Sequence, residues 1–183
     1  RHELSGAGLS RVFVADELAP PREVVIKVLP PDLTSAASSL RFEREIALVA
    51  RLQHPHIVPL FATGTAAGMA FFTMPFVEGE TLRSRLDAHS RQPISEVIRL
   101  MREVADALQY AHAHGVVHRD IKPANILLSG GHACVTDFGI AKAVREAVGD
   151  LDTTAIGIAL GTPAYRAPEQ SGADPHVYQR AVP

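Results

Sequence analysis

The stretch His118-Arg119-Asp120-Ile121-Lys122-Pro123-Ala124-Asn125 places a carboxylate, an ammonium group and a carboxamide within six residues of one another. It follows the longest helix-periodic segment of the chain and precedes two short apolar runs, so it reads as a loop between a helix and a hairpin. Transfer of a phosphoryl group to a hydroxyl needs a carboxylate to orient the nucleophile, a cation to meet developing charge, and a metal ligand. Asp120, Lys122 and Asn125 supply those three types. Asp137-Phe138-Gly139 comes twelve residues beyond Asn125, just after an apolar run, and a carboxylate there suits Mg²⁺ on phosphates.

Outward from this loop the chain changes character twice. Ile94-Ser95-Glu96 opens a periodic stretch in which Val97, Met101, Val104, Leu108 and Ala111 share one face. That spacing predicts a long helix with this stripe in the core and Gly115 as its stop. Helical character begins already at Thr81. Nearer the start the signals are those of strands. Val12-Phe13-Val14 and the run from Val24 to Leu29 are β-branched or aromatic, with Pro20-Pro21 between them. Ile57-Val58-Pro59-Leu60-Phe61 and Ala70-Phe71-Phe72-Thr73-Met74 read as two further strands, joined by a turn at Gly64 to Gly68. Between the two strand pairs, Ser38 to Leu52 reads as a helix with Phe42, Ile46 and Val49 at helical spacing. His54-Pro55 stops it, because the residue before proline is pushed out of the α region. Ile126-Leu127-Leu128 and Ala133-Cys134-Val135 form a short hairpin across a Gly-Gly turn, and from Asp137 onward the chain reads as a long loop. A small β-rich part followed by a helical part predicts an α+β protein of two lobes around a cleft, residues 1–79 and 80–183.

Composition narrows the field. The 183 residues are 46% hydrophobic and 21% charged, with a net charge of −2. That balance supports a buried core and gives no electrostatic reason to expect nucleic acid or an anionic membrane. Trp is absent and aromatic residues make up 5%, a poor supply of base-stacking platforms. The single cysteine, Cys134, excludes an intrachain disulfide and fits a reducing compartment, with an inert buried thiol expected in its strand. No apolar run approaches the roughly 20 residues that span a bilayer. His112, His114 and His118 lack a Cys or carboxylate at ligand spacing, so they read as helix-end and loop residues rather than a metal cluster.

With the loop, the Asp-Phe-Gly and a later Ala167-Pro168-Glu169 in order, the chain resembles the bacterial, eukaryotic-like serine/threonine protein kinases from Leu4 to about Ala181. The resemblance implies a two-lobed protein-kinase-like fold, with residues 1–79 as N-lobe and hinge and 80–183 as a partial C-lobe. It implies ATP and Mg²⁺ as cofactors, protein Ser/Thr hydroxyls as acceptors, and Lys122 as the mark of the serine/threonine class. Asp120 would be the base and Asn125 and Asp137 the metal ligands. Val24-Val25-Ile26-Lys27 resembles the strand whose Lys holds the α- and β-phosphates, with Glu45 as its expected partner and Glu43 as the fallback. Met74 resembles the gatekeeper, and Pro75-Phe76-Val77 the hinge that pairs with adenine. Val12, Val25 and Leu127 would sandwich the ring. The phosphate-covering loop departs from the family: its glycine positions fall on Ser5, Ala7 and Ser10, with Gly6 and Gly8 between them, so small residues must leave the room that glycines normally provide. Val49, Leu60, His118 and Phe138 fit the stacked apolar spine linking the lobes.

Residues 137–169 resemble an activation segment, with Thr153 or Thr154 as the expected autophosphorylation site opposite Arg119, and Thr162 beside the catalytic loop. Self-association for autophosphorylation goes with that expectation, as does a cytoplasmic location with any membrane anchor beyond residue 183. The chain stops fourteen residues after Glu169, short of the family's usual length, which reads as a truncated domain. The alternative class is therefore a catalytically incompetent kinase fragment or nucleotide-binding module.

Overall fold

A computed structural model describes residues 2–4, 10–29, 44, 46–89, 91–138 and 165. Five strands form an antiparallel sheet: β1 (His2–Leu4), β2 (Arg11–Leu18), β3 (Pro21–Val28), β4 (Ala62–Ala66) and β5 (Met69–Pro75), in the order β1-β2-β3-β5-β4. Register aligns Val12 with Lys27 and Phe72, and Val14 with Val25 and Met74. Directly opposed residues share a face, so these six side chains lie on one side of the sheet. Val14, Phe72 and Met74 are buried there, which draws Lys27 toward the interior edge.

Below the sheet, β6 (Glu80–Thr81) leads into α1 (Leu82–Ala88), and α2 (Ile94–Ala113) follows. The Thr81 hydroxyl accepts the Ser84 N–H at 3.0 Å, the cap that starts α1. The three-residue 3₁₀ turn Pro123–Asn125 then delivers the chain into the hairpin β7 (Ile126–Ser129) and β8 (His132–Val135), with β6 on its outer edge. Two apolar clusters result. Leu29, Ile46, Val58, Ala70, Phe72 and Met74 fill the first, against the sheet. The second gathers Val49, Leu52 and Ile57 with the buried face of α2, the inner residues of β7 and β8, and Phe138.

Three expectations require correction. Residues 57–61 are not a strand. Ile57 makes a single parallel bridge to Val135 and sits in the second cluster, whereas Val58 sits in the first. Full burial is worth about 1.5–3 kcal/mol for each such side chain, enough to outweigh a strand ladder that Pro59 would interrupt in any case. The turn expected at Gly64 to Gly68 is confined to Ala67-Gly68. Gly64 lies inside β4 instead, where a β-carbon would come 2.9 Å from the Phe71 ring, so any side chain there would press on that ring. On α2 the buried positions are Leu100, Val104, Ala107 and Ala111, while Val97 and Met101 are 42% and 44% exposed. Helical spacing allows both stripes through Val104 and Ala111; the small Ala107 lets β8 approach the helix closely, which selects the other one. The helical reading of 38–52 is met at 44 and 46–49 but overruns at 50–52, which are turn and coil; 38–43 and 45 lie outside the described residues.

Candidate active site

After α2 the chain descends through Val116, buried at 6% exposure, to His118, whose side chain is sealed in the interior. The His118 Nε2–H donates to the Thr136 carbonyl at 2.8 Å, and Nδ1 accepts the Asp120 N–H at 3.2 Å. The two bonds together require the neutral ring with its proton on Nε2. Burial pushes His118 below the ordinary imidazole value of 6.5, against the opposing pull of the Thr136 carbonyl, Asp137 and Asp120. Its ring packs on Phe138 at 4.7 Å between centroids. Phe138 and Val49 belong to the second cluster and Leu60 packs against both clusters, while His118 meets the second through Phe138.

The loop then closes on itself. Asp120 Oδ2 stands 2.8 Å from Lys122 Nζ and accepts Asn125 Nδ2–H at 3.2 Å, while the same amide nitrogen donates to the Asp120 carbonyl at 2.8 Å. With its nitrogen committed to Asp120, Asn125 turns its amide oxygen the other way. The Asn125 carbonyl accepts the Thr136 N–H at 3.0 Å, which ties the loop to the end of β8. Arg119 and Asp137 both adopt left-handed backbone, φ 68° and 65°. Such conformations cost about 1–2 kcal/mol in an ordinary residue and persist where the surroundings hold them.

Asp137 Oδ2 accepts a hydrogen bond from Lys27 Nζ at 2.7 Å, joining the sheet to the end of β8; the two side chains are 16% and 19% exposed. Its Oδ1 is buried with no hydrogen-bond partner among the described residues. A buried carboxylate oxygen without a donor is costly unless a cation meets it. That orphaned oxygen, with the Asn125 amide oxygen, is a hard-oxygen donor set of the kind a divalent ion takes. The residues present therefore fit Mg²⁺. Glu45 and Glu43, the expected partners of Lys27, lie outside the described residues, as do Ser5, Gly6, Ala7, Gly8, Thr153, Thr154, Thr162 and the Ala167-Pro168-Glu169 motif.

At the other end, Met74 is buried in the first cluster, and Val25 from β3 and Leu127 from β7 pack against that cluster from the two lobes. Val12 stands across from Lys27 on the same face. The Phe76 N–H donates to the Glu23 carbonyl at 3.4 Å, so Phe76 has only its carbonyl and half-exposed ring to offer a ligand. Tyr165 is exposed, and its hydroxyl accepts from Arg83 Nη1 at 3.3 Å. Cys134 is partly buried and its thiol is pushed above its ordinary value, first by burial and then by Glu103, consistent with an unreactive thiol.

Sequence reasoning missed two contacts. Thr136 donates its hydroxyl to Met74 Sδ at 3.5 Å while its backbone holds both His118 and Asn125, making it the joint between β5 and the loop. Its place immediately before Asp137 was the available signal. Glu103 on α2 accepts the Ala133 N–H at 2.7 Å and pairs with His132 at 2.8 Å, fastening the hairpin to the helix. A lone Glu on a helix carries no such signal.

The family profile described as Protein kinase domain matches residues 3–182. The chain belongs to the protein kinase family. It is 38% identical over 177 residues to the serine/threonine-protein kinase PknB of Mycobacterium leprae, covering 93% of this chain and 28% of PknB. It is 40% identical over 171 residues to the probable serine/threonine-protein kinase pknA2 of Bifidobacterium longum, covering 91% of this chain and 22% of that protein. The crystal structure of the Mycobacterium tuberculosis PknI kinase domain superposes with a TM-score of 0.67 at 33% identity, over 75% of this chain and 56% of that one. The chain thus spans under a third of the curated kinases it matches and little more than half of the solved kinase domain. Among the described residues no helix is long and apolar enough to cross a membrane.

Proposed function

We propose that this chain is the catalytic part of an ATP- and Mg²⁺-dependent serine/threonine protein kinase that transfers the γ-phosphate of ATP to protein hydroxyls. The observation that carries the reading is the bonded series Lys27–Asp137, Thr136–Asn125 and Asn125–Asp120–Lys122, which brings the phosphotransfer groups of the two lobes together. Asp120 would orient the acceptor hydroxyl and take its proton. Lys122, already 2.8 Å from that carboxylate, would offset the negative charge gathering beside it. Lys27 would hold the nucleotide phosphates, and Val12, Val25, Met74, Phe76 and Leu127 would enclose the adenine, with the backbone of Ser5, Gly6, Ala7 and Gly8 over the phosphates. Asn125 and Asp137 would hold Mg²⁺, which when bound neutralises phosphate charge. On this reading residues 1–79 and 80–183 work as the two lobes, Glu45 supports Lys27, protein chains supply the acceptors, copies meet during autophosphorylation, and the site works in the cytoplasm.

Phosphate incorporation from labelled ATP into a generic basic protein tests this, with Asp120→Asn beside the wild type. Loss of the base should slow transfer by about 10²–10⁴-fold while ATP still protects the chain against heat. Equal transfer by both proteins would refute the assignment of Asp120. ATP binding without transfer by either would mark a nucleotide-binding module instead.

A further inference from the structure

We propose that His54 is a positioning residue for this site, and that its hold requires the neutral imidazole, so that the two lobes lose alignment when it is protonated. The consequence for catalysis rests on the kinase reading; the geometry does not. The connection from Gln53 to Phe61 threads between the two apolar clusters, with Ile57 in one and Val58 in the other. It is fastened to β8 by Val135 N–H to the His56 carbonyl at 2.8 Å, Val58 N–H to the Val135 carbonyl at 2.9 Å, and His56 Nδ1–H to the Ala133 carbonyl at 2.9 Å. Val135 is two residues from Asp137. A slip of the connection along β8 would therefore move the sheet that carries Lys27 relative to Asp137.

The turn that shapes this connection is built on His54. Its Nδ1 accepts the His56 N–H at 3.2 Å, and its carbonyl accepts the Ile57 N–H at 3.1 Å. Its Nε2 lies 3.2 Å from Asp106 Oδ2. An imidazolium has hydrogens on both nitrogens and accepts nothing. Protonation therefore removes the partner of the His56 N–H and sets one N–H against another, in a side chain only 11% exposed.

The groups facing His54 divide in their effect. From α2 come Asp106 and Tyr110, the latter with its ring 5.0 Å away and its hydroxyl accepting the Gln53 N–H at 3.4 Å. Tyr110 in turn stacks on His114 at 4.2 Å. From the connection comes His56, at 5.7 Å between rings, and behind it His132 of β8, at 6.2 Å from His56 and paired with Glu103. Asp106 favours the charged ring, but at 64% exposure its attraction is screened by water. Protonation would take from the His56 N–H the Nδ1 acceptor it has here.

Melting of the 183-residue chain without nucleotide at pH 7.5 and 5.5, beside His54→Asn and His54→Ala, tests this. Asn keeps an acceptor oxygen near the place of Nδ1 and does not titrate. The Asn variant should lose less melting temperature on acidification than the wild type, by about 2–4 °C, and the Ala variant should melt low at both values. His118 contributes equally to all three proteins and cancels. Hydrogen exchange on the wild type gives a second reading that needs no variant: protection of the His56 N–H, corrected for the intrinsic rate, should fall between pH 7.5 and 5.5 faster than that of Val28. An Asn variant with the wild-type acid loss, or unchanged His56 protection, overturns the proposal. In phosphotransfer the wild type should lose kcat on acidification more steeply than the Asn variant. If neither transfers phosphate, the melting and exchange results still decide the clamp, and the kinase reading fails separately.

Discussion

Replacing Gly79 by alanine tests whether the segment before β6 and the hairpin β7–β8 are fitted as closely as the structure shows. Gly79 has φ 140°, and a β-carbon there would overlap the Leu128 carbonyl oxygen and come within 3.0 Å of the Leu128 carbonyl carbon. Those are backbone atoms, held by the pairing of Glu80 with Leu128 and Thr81 with Leu127. No side-chain rotation relieves the overlap, so either β6 separates from β7 or the backbone at Gly79 shifts. Backbone strain at such a φ costs about 1–3 kcal/mol, and a forced backbone shift adds about 1–3 kcal/mol. Gly68→Ala is the control: its φ is 75°, but nothing lies within 4 Å of the added carbon. It should show the strain alone. Urea unfolding of both variants should therefore place Gly79→Ala roughly 1–3 kcal/mol below Gly68→Ala, a large share of an ordinary total of about 5–15 kcal/mol. Equal losses would mean that Gly79 does not press on Leu128, and the close approach would be wrong.

Two further tests address the pairs that join elements. Burial raises the Glu103 carboxyl, but the Ala133 N–H, His132 and Arg99 together outweigh it and hold the group below its ordinary 4.5. Its contribution is then complete above that ordinary value and is lost as pH falls through the lower folded one. Glu103→Gln should flatten the stability curve below about pH 4.5, read from urea midpoints; parallel curves would refute it. A double-mutant cycle with Lys27→Met and Asp137→Asn should give a coupling of about 1–3 kcal/mol, since both groups are largely buried and asparagine tolerates the left-handed backbone at 137. No coupling would mean that the 2.7 Å contact is not formed in solution.

What could be read from the chain depended on whether neighbours along it sufficed. The loop from His118 to Asn125 was legible because its groups bond within six residues, and the hairpin after it because Gly130-Gly131 permits the turn between two apolar runs. Ile57-Val58 misled because an apolar pair looks the same whether it lines one strand or is divided between two cores. The stripe on α2 was off because Val97 and Leu100 are equally apolar, and only the approach of β8 chooses between them. Among the described residues, the partner of Lys27 is Asp137, 110 positions away, a pairing that depends on how the sheet sits over β8. Local chemistry was readable; placement that depends on the meeting of two lobes was not.

That meeting explains why the loop is strained at both ends of its bonded path. Arg119, next to His118, and Asp137, next to Thr136, hold left-handed backbone, and His118 bonds Asp120 through one nitrogen and Thr136 through the other. A buried neutral ring with both nitrogens committed cannot turn without orphaning a partner, and an orphaned buried group costs about 1–3 kcal/mol. That is comparable to the strain at either residue, so relaxing the backbone at Arg119 or Asp137 would exchange one cost for another of the same size. The turned backbone at Asp137 places one carboxylate oxygen on Lys27 and leaves the other buried without a donor among the described residues. The strain, the sealed histidine and the orphaned oxygen are therefore parts of one arrangement, in which each relaxation would cost a neighbour its partner.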